Sequence, residues 1–218
     1  AEERVCFVGN VMIDSLLANR AFARPAATTL QMAGFDPGII GDPQGYGVVT
    51  LHRPSNVDSE QTLALLLLVL REVSDQLPLV FALHPRTRAN IERFGLGELL
   101  NSRRIVLLPP QGYLEMLGLM VAAKLVLSDS GGLQEETTAL GVPCLTIREN
   151  TERPITIEQG TNTLVGCDAR AIRQGVDEIL SGAGKTGRVP EFWDGRAAER
   201  IAADLSSWLI GRHAQRGH

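Results

Sequence analysis

Residues 124–136 read KLVLSDSGGLQEE, and this stretch decides the fold. A short apolar run ends at Ser128, two glycines follow, and a segment rich in helix-forming residues begins at Leu133. A buried strand that passes through a Gly-rich turn directly into a helix is the repeating unit of parallel α/β folds. The same order of strand, polar turn and helix recurs along most of the chain.

Six such strands are predicted, and each is apolar without alternation, which is typical of strands buried on both faces. The pattern predicts an α/β fold with a doubly wound, six-stranded, Rossmann-like parallel sheet. The predicted strands are 46–51, 79–83, 104–107, 124–127, 143–147 and 163–165. The predicted helices between and after them are 59–76, 87–94, 112–122, 133–140, 154–159 and 169–180.

The two ends of the chain differ from this central pattern. Residues 1–45 hold one apolar run at 5–8, one helix pattern over 11–20 and then a loop-rich stretch, and they are predicted to be a connector between domains. Residues 46–193 form the predicted Rossmann-like domain. Residues 194–218 are predicted to form an amphipathic helix, over 195–209, and a frayed tail.

Composition excludes several classes of protein. The 218 residues are 44% hydrophobic and 21% charged, which excludes a disordered chain. The net charge of −4 gives no general attraction to nucleic acid or to an anionic membrane. Three cysteines without a CxxC pattern suggest neither a disulfide framework nor a zinc site.

The longest apolar run, 63–70, is too short to span a bilayer, and residues 1–4 do not resemble a signal peptide, so a cytoplasmic protein is expected.

A His-Arg pair follows the first predicted strand, in the phrase TLHRPSN. Open parallel sheets bind their ligands beyond the carboxyl ends of the strands. Arg53 can hold a phosphate through two hydrogen bonds, and His52 can donate another or carry a proton. The alternative is that His52 caps the turn and Arg53 pairs with a surface carboxylate.

The Ser-Gly-Gly turn after the fourth predicted strand forms a second candidate site. Ser130, Gly131 and Gly132 precede a helix, whose first N–H groups attract anions, and the glycines let a diphosphate approach the backbone. Glu136 lies further along the helix, where a carboxylate can accept both hydroxyls of a ribose. The alternative is an ordinary capped turn with Ser130 as the N-cap.

Other polar loops also follow predicted strands. Arg153, in the phrase RENTERP, can meet a phosphate or a partner acid, or can form a solvated ion pair. His84 can contact a second ligand, or can simply belong to the start of a helix. Tyr113 and Met116 stand at helical spacing and are either core residues or a platform for a nucleobase.

These phrases together resemble one family, the non-hydrolysing UDP-N-acetylglucosamine 2-epimerases. The matching segments are VGNVMID (8–14), VTLHRPSN (49–56), LHPRT (83–87), SDSGGLQEE (128–136), GVPCLTIRENTERP (141–154) and GTNTLVG (160–166). Their order and spacing extend over nearly the whole chain, and the combination is much more specific than any single phrase.

The resemblance implies the C-terminal domain of a two-domain B-fold glycosyltransferase-like architecture, with a UDP-sugar in the cleft between the domains. The site residues that it implies are His52 as the catalytic residue at the diphosphate, Ser130, Gly131 and Gly132 as the diphosphate cradle, Glu136 at the ribose, Arg53 and Arg153 as further substrate contacts, and Gln111 and Met116 at the uracil. Many family members have Phe at the position of Met116. His84, with Arg53, matches a second, allosteric UDP-sugar site of some bacterial members.

The reaction that the resemblance implies interconverts UDP-N-acetylglucosamine and UDP-N-acetylmannosamine through elimination and re-addition of UDP, with a glycal intermediate. The acids that move the protons are expected in an N-terminal domain that this sequence lacks, so this chain alone is expected to bind UDP weakly and catalyse little. Its last helix is then expected to expose apolar residues around Trp208 and Leu209. No cofactor or metal is expected, and the full-length protein is expected to be a homodimer.

Three alternatives stay open. A UDP-sugar glycosyltransferase shares the Ser-Gly-Gly turn and the ribose-binding Glu136, although the His-Arg-x-x-Asn phrase and the Thr-Glu-Arg-Pro loop argue against it. A hydrolysing epimerase uses much the same site and releases free N-acetylmannosamine. The chain could also be a nucleotide-sugar-binding module without chemistry.

Overall fold

Six parallel strands form one sheet in the computed structural model, which describes residues 5–216. The strands are β1 (Gly47–Thr50), β2 (Leu79–Ala82), β3 (Ile105–Leu108), β4 (Leu125–Ser128), β5 (Cys144–Thr146) and β6 (Asn162–Leu164). Their order across the sheet is β3-β2-β1-β4-β5-β6, the order of the Rossmann fold. The predicted doubly wound sheet is therefore confirmed, and its topological switch point lies between β1 and β4.

Helices connect the strands and cover the sheet. They are α1 (Val11–Asn19), α2 (Ala26–Met32), α3 (Pro54–Val57), α4 (Glu60–Gln76), α5 (Pro85–Arg93), α6 (Tyr113–Val121), α7 (Gly131–Leu140), α8 (Pro154–Glu158), α9 (Ala169–Leu180) and α10 (Ala197–Arg216). Short 3₁₀ helices lie at Arg20–Phe22, Pro37–Gly41 and Gly97–Leu100.

The sheet buries both of its faces. Val48 and Val49 are successive residues of β1, and both are fully buried. Val49 belongs to a cluster with apolar residues of α4 and α9, and Val48 belongs to a second cluster with residues of α2 and α6. Successive side chains of a strand point to opposite faces, so helices lie on both sides of the sheet.

Helix α2 is the main departure from the predicted elements. The sequence pattern predicts loops between α1 and β1, and this prediction is wrong at Ala26–Met32. Ala26 and Leu30 are buried in the second cluster, so tertiary packing stabilises a short helix whose own periodicity is weak. The role of residues 1–45 as a connector between domains stays a prediction.

The last helix is longer than the sequence pattern predicts. Helix α10 continues past the predicted end at residue 209 as far as Arg216. Trp208 and Leu209 are 52% and 50% exposed, which confirms the expectation that this helix exposes apolar residues. The carboxylate of Asp14 in α1 accepts the N–H groups of Ala197 at 3.0 Å and Ala198 at 2.7 Å, so α1 caps the start of α10.

No helix within residues 5–216 is both long enough and apolar enough to cross a membrane. The prediction that residues 1–4 are not part of a signal peptide lies outside the described residues. The predicted end of the frayed tail, at residues 217–218, lies outside them as well.

Candidate functional site

The loops that follow β1 and β4 lie side by side at the switch point. The two strands are paired from Gly47 with Leu125 to Thr50 with Ser128, so both loops leave the same edge of the sheet. The Nη2 atom of Arg53 lies 3.7 Å from the position that a Cβ on Gly131 would occupy. The structure therefore brings together the two polar segments that the sequence singled out.

The N-terminus of α7 faces this edge of the sheet. Ser130 is its N-cap, and its Oγ accepts the N–H of Leu133 at 3.5 Å, which confirms the capped turn. The N–H groups of Gly131 and Gly132 stand in the first turn, where no intrahelical acceptor exists and the helix dipole favours an anion. Capping uses the hydroxyl of Ser130, so it leaves these two N–H groups available to a ligand.

Asp129, at the end of β4, fixes the His-Arg pair. Its fully buried carboxylate accepts the backbone N–H of His52 at 2.9 Å and that of Arg53 at 2.8 Å. The same carboxylate lies 2.9 Å from Nδ1 of His52. Arg53 donates its Nε–H to the backbone carbonyl of Asp129 at 3.3 Å, and within residues 5–216 it forms no ion pair with a surface carboxylate. The guanidinium is thus held beside the turn with other donors free.

Two adjacent glutamates of α7 have different surroundings. Oε1 of Glu135 accepts a hydrogen bond from Nδ2 of Asn10 at 2.9 Å and lies 3.2 Å from Nε of Arg153, while its Oε2 is buried without a partner. Glu136 is 8% exposed, and its carboxyl has no hydrogen-bond partner within residues 5–216. Burial first, and then the charge of Glu135, raise the pKa of Glu136 to about 7. A buried carboxyl without partners can take hydroxyl donors from a ligand.

Arg153 combines two of the interpretations that the sequence allowed. It forms an ion pair with the buried Glu135, and its side chain is 44% exposed, so part of the guanidinium still faces solvent. Elsewhere in the same loop, Arg148 pairs with Glu152 at 2.7 Å. Two members of this loop contact α7: Arg153 through its ion pair with Glu135, and Thr151, whose hydroxyl donates to Oε1 of Gln134 at 2.6 Å.

The loop before α6 and the first turns of that helix hold the residues predicted at the uracil. Nε2 of Gln111 donates to the carbonyl of Pro109 at 2.7 Å. Met116 is partly buried and packs against the second core cluster, in agreement with the core interpretation. Tyr113 is 43% exposed, and burial together with the charge of Glu136 raises its pKa, so its hydroxyl lies within the electrostatic reach of Glu136. The contacts of Gln111 and Met116 with a uracil stay predictions.

His84 lies next to His52, with 5.4 Å between the ring centroids. It is also the N-cap of α5, where its Nδ1 accepts the N–H of Arg86 at 3.2 Å. Arg86 forms an ion pair with Asp58. The helix-start interpretation of His84 is confirmed, and its role in a second ligand site stays a prediction.

Sequence reasoning assigned no role to three residues that organise the site, namely Asp129, Asn10 and Glu135. Asp129 carried a signal in the sequence, because it is a charged residue directly after an apolar strand. The structure shows that its side chain is fully buried. Asn10 and Glu135 carried none, because they meet across 125 positions of sequence.

Comparisons with known proteins identify the family of the chain. The family model described as UDP-N-acetylglucosamine 2-epimerase matches residues 1–206. A UDP-N-acetylglucosamine 2-epimerase of Methanocaldococcus jannaschii is 37% identical over 209 residues, which are 94% of this chain and 55% of that protein. The UDP-2,3-diacetamido-2,3-dideoxy-D-glucuronate 2-epimerase of Pseudomonas aeruginosa is 36% identical over 208 residues, 93% of this chain and 53% of that protein.

Solved structures agree with the fold as well. The crystal structure of the M. jannaschii UDP-GlcNAc 2-epimerase in complex with UDP-GlcNAc and UDP matches with a TM-score of 0.81 and 34% identity, over 95% of this chain and 56% of that chain. The chain spans about half the length of the curated relatives it matches. Since the family model extends over most of the sequence and the fold agrees, the chain belongs to the UDP-N-acetylglucosamine 2-epimerase family.

Proposed function

We propose that the complete protein is a UDP-N-acetylglucosamine 2-epimerase and that this chain forms the UDP-binding side of its active site. The observation that carries the proposal is the meeting of the His52-Arg53 loop with the Ser-Gly-Gly turn at the switch point. Cationic side chains beside a helix N-terminus suit a diphosphate, and the M. jannaschii relative is named as a complex with UDP-GlcNAc and UDP.

In this proposal the diphosphate lies between the two loops. Arg53 donates from its free guanidinium nitrogens, Gly131 and Gly132 donate their N–H groups, and His52 donates from the ring nitrogen that faces away from Asp129. Arg153 borders the same region through its ion pair with Glu135. Each of these groups is held by the fold before the ligand arrives, so little reorganisation accompanies binding.

Glu136 is the proposed partner of the ribose. Its carboxyl is buried and unpartnered within residues 5–216, so two hydroxyl donors from a ribose would restore the hydrogen bonds that burial removed. We place the uracil near Gln111 and Met116, in the segment that also holds Tyr113, whose pKa the charge of Glu136 helps to raise. Met116 would offer a thioether contact to the base.

The proposed reaction is an elimination followed by an addition. A base removes the proton from C2 of the sugar, the C1–O bond breaks, and its electron pair leaves on the β-phosphate oxygen of UDP. The product is a glycal with a C1–C2 double bond. UDP then returns to C1 and a proton is added to the opposite face of C2, so atoms and charge balance without oxidation or reduction.

The contribution of this chain is to stabilise the charge that develops on the departing UDP. Preorganised donors that face a developing anion are among the strongest contributors to catalysis. We propose that the groups that move the C2 proton come from a second domain, since this chain spans about half the length of its relatives. A cytoplasmic location and a homodimer of the complete protein are part of the same proposal.

The sugar is the less constrained part of the substrate. The two relatives are named for different sugars, although both names carry UDP. In this proposal, the residues at the switch point contact the diphosphate and Glu136 contacts the ribose. These residues therefore account for recognition of UDP, which both names share. The choice of N-acetylglucosamine rests on the family to which the chain belongs.

Calorimetric titration of this chain with UDP tests the binding half of the proposal. We expect binding, and we expect His52→Ala and Glu136→Ala each to weaken it by about 1 to 3 kcal/mol, as for the loss of a charge-assisted contact. Arg173→Ala is the matched control, because Arg173 is an exposed residue of α9 that pairs with Glu72. A folded chain that does not bind UDP, or variants that bind it as tightly as the wild type, would contradict the proposal.

Turnover by the complete protein tests the chemistry. Incubation with UDP-N-acetylglucosamine in D₂O should give UDP-N-acetylmannosamine with deuterium at C2. Free N-acetylmannosamine would indicate a hydrolysing enzyme, and no turnover despite UDP binding would indicate a binding module. Turnover of the diacetamido-glucuronate substrate alone would retain the reaction and reassign the sugar.

A further inference from the structure

One buried carboxylate joins the two halves of the candidate site. Asp129 is fully buried, and in addition to the two backbone N–H groups it accepts a hydrogen bond from Nδ2 of Asn56 at 3.1 Å. The same amide group of Asn56 donates to the carbonyl of Ile147 at 2.8 Å. The carboxylate is thus surrounded by donors from β1's loop and α3, which offset the loss of its hydration.

These contacts determine which nitrogen of His52 carries a proton. An ionised carboxylate can only accept hydrogen bonds, so the Nδ1 atom of His52, 2.9 Å away, must be a donor. In a neutral imidazole the second nitrogen, Nε2, then has no proton, and in the charged ring it gains one. The position of Asp129 therefore selects the tautomer.

The remaining nitrogen is the one available to a ligand. The side chain of His52 is 31% exposed, and within residues 5–216 no group forms a hydrogen bond with Nε2. The atom lies across the ring from the buried carboxylate. A ring held in this way presents Nε2 as a donor when it is charged, with the negative charge of Asp129 behind it.

We propose that Asp129 is the positioning residue of the UDP site: it holds the proton on Nδ1 of His52 and keeps Nε2 directed to the diphosphate. This role rests on the proposed function for the identity of the ligand. Asp129 itself touches no substrate, because the loops on either side cover it. Its contacts with the N–H groups of His52 and Arg53 fix the loop on which both side chains stand.

The Asp129→Asn variant separates the proton-selecting role from a purely structural one. The amide oxygen can still accept from Arg53 and Asn56, but the amide N–H₂ would face Nδ1 of His52. The ring proton should then move to Nε2. ¹⁵N NMR of the histidine-labelled chain at about pH 8, above the ordinary pKa of imidazole, reports which nitrogen is protonated. The His52 signals are assigned by their loss in His52→Gln.

We expect a protonated Nδ1 in the wild type and a protonated Nε2 in Asp129→Asn. Asp42→Asn is the matched control, because Asp42 also accepts two hydrogen bonds, from Gln44 and Arg104, far from the switch point. An unprotonated Nδ1 in the wild type would overturn the proposal, and so would an unchanged tautomer in a folded Asp129→Asn. If Asp129→Asn does not fold, the wild-type spectrum alone decides the proposal, by showing whether Nδ1 of His52 is protonated.

UDP binding provides the second measurement. Asp129→Asn should lower UDP affinity at least tenfold in the wild-type background and less than threefold when His52 is already Gln, as expected for coupled residues. Equal losses in the two backgrounds would assign the effect to the loop backbone and overturn the proposal. A wild-type chain that binds no UDP would refute the proposal that this chain forms the UDP-binding side of the active site, and the tautomer measurement would still decide whether Asp129 holds the proton on Nδ1 of His52.

Discussion

Replacing Glu136 by Gln should stabilise the chain at high pH. Burial raises the pKa of Glu136 from the ordinary 4.5 to about 7, with the charge of Glu135 as the second cause. The folded chain therefore keeps this proton up to about pH 7, while the unfolded chain releases it near 4.5. The unfolding free energy falls as pH rises through this window, by roughly 3 kcal/mol at 1.36 kcal/mol for each pKa unit. Gln has nearly the same shape and no charge, so the variant avoids this loss.

Urea denaturation of both proteins at several pH values measures the effect. The advantage of Glu136→Gln over the wild type should be small near pH 4.5 and grow to roughly 3 kcal/mol at about pH 8. Glu158→Gln, at an exposed position of α8, is the matched control and should show no such growth. A difference between Glu136→Gln and the wild type that stays constant with pH would refute the reasoning. If Glu136 is the ribose partner as proposed, the same variant should bind UDP more weakly, because an amide replaces the carboxyl that would accept the ribose hydroxyls.

Three further predictions follow from the packing. Gly118→Ala in α6 should prevent stable folding, because the new Cβ would overlap the backbone of Arg24. Circular dichroism measures this, and a soluble variant with native stability would contradict it. Asp14→Ala should lower the unfolding free energy by about 1 kcal/mol in urea titrations, since it removes the cap of α10, and an unchanged midpoint would contradict it. Cys144, whose pKa burial raises to about 12, should resist iodoacetamide in the native chain and react after unfolding, whereas exposed Cys6 provides the accessible comparison.

Most of the fold could be predicted from local patterns. The strand over Leu79–Ala82 is buried along its whole length, and such strands give continuous apolar runs that end at a polar residue. Helix α4 has a strong apolar stripe and the cap Ser59, so its limits were predictable. Helix α2 was not, because its stability depends on the burial of Leu30 against distant elements.

The candidate site was predictable in position and not in its contacts. His52 and Ser130 stand after strands, and the rule for ligands in parallel sheets directs attention there. Their partners depend on which strands become neighbours. Asp129 meets His52 only because β1 pairs with β4, and Glu135 meets Arg153 only because α7 packs beside α8, so no local pattern contains either contact.

The pairing of β1 with β4 also bears on how the chain folds. His52 and Asp129 are 77 positions apart, and they meet only after the unit that contains β1, β2 and β3 has docked on the unit that contains β4, β5 and β6. Closing so long a loop is slow compared with local helix formation. A half-assembled intermediate would hold either the His-Arg loop or the Ser-Gly-Gly turn in its final surroundings, never both. During refolding, the proposed capacity to bind UDP should therefore return last, after the helices have formed.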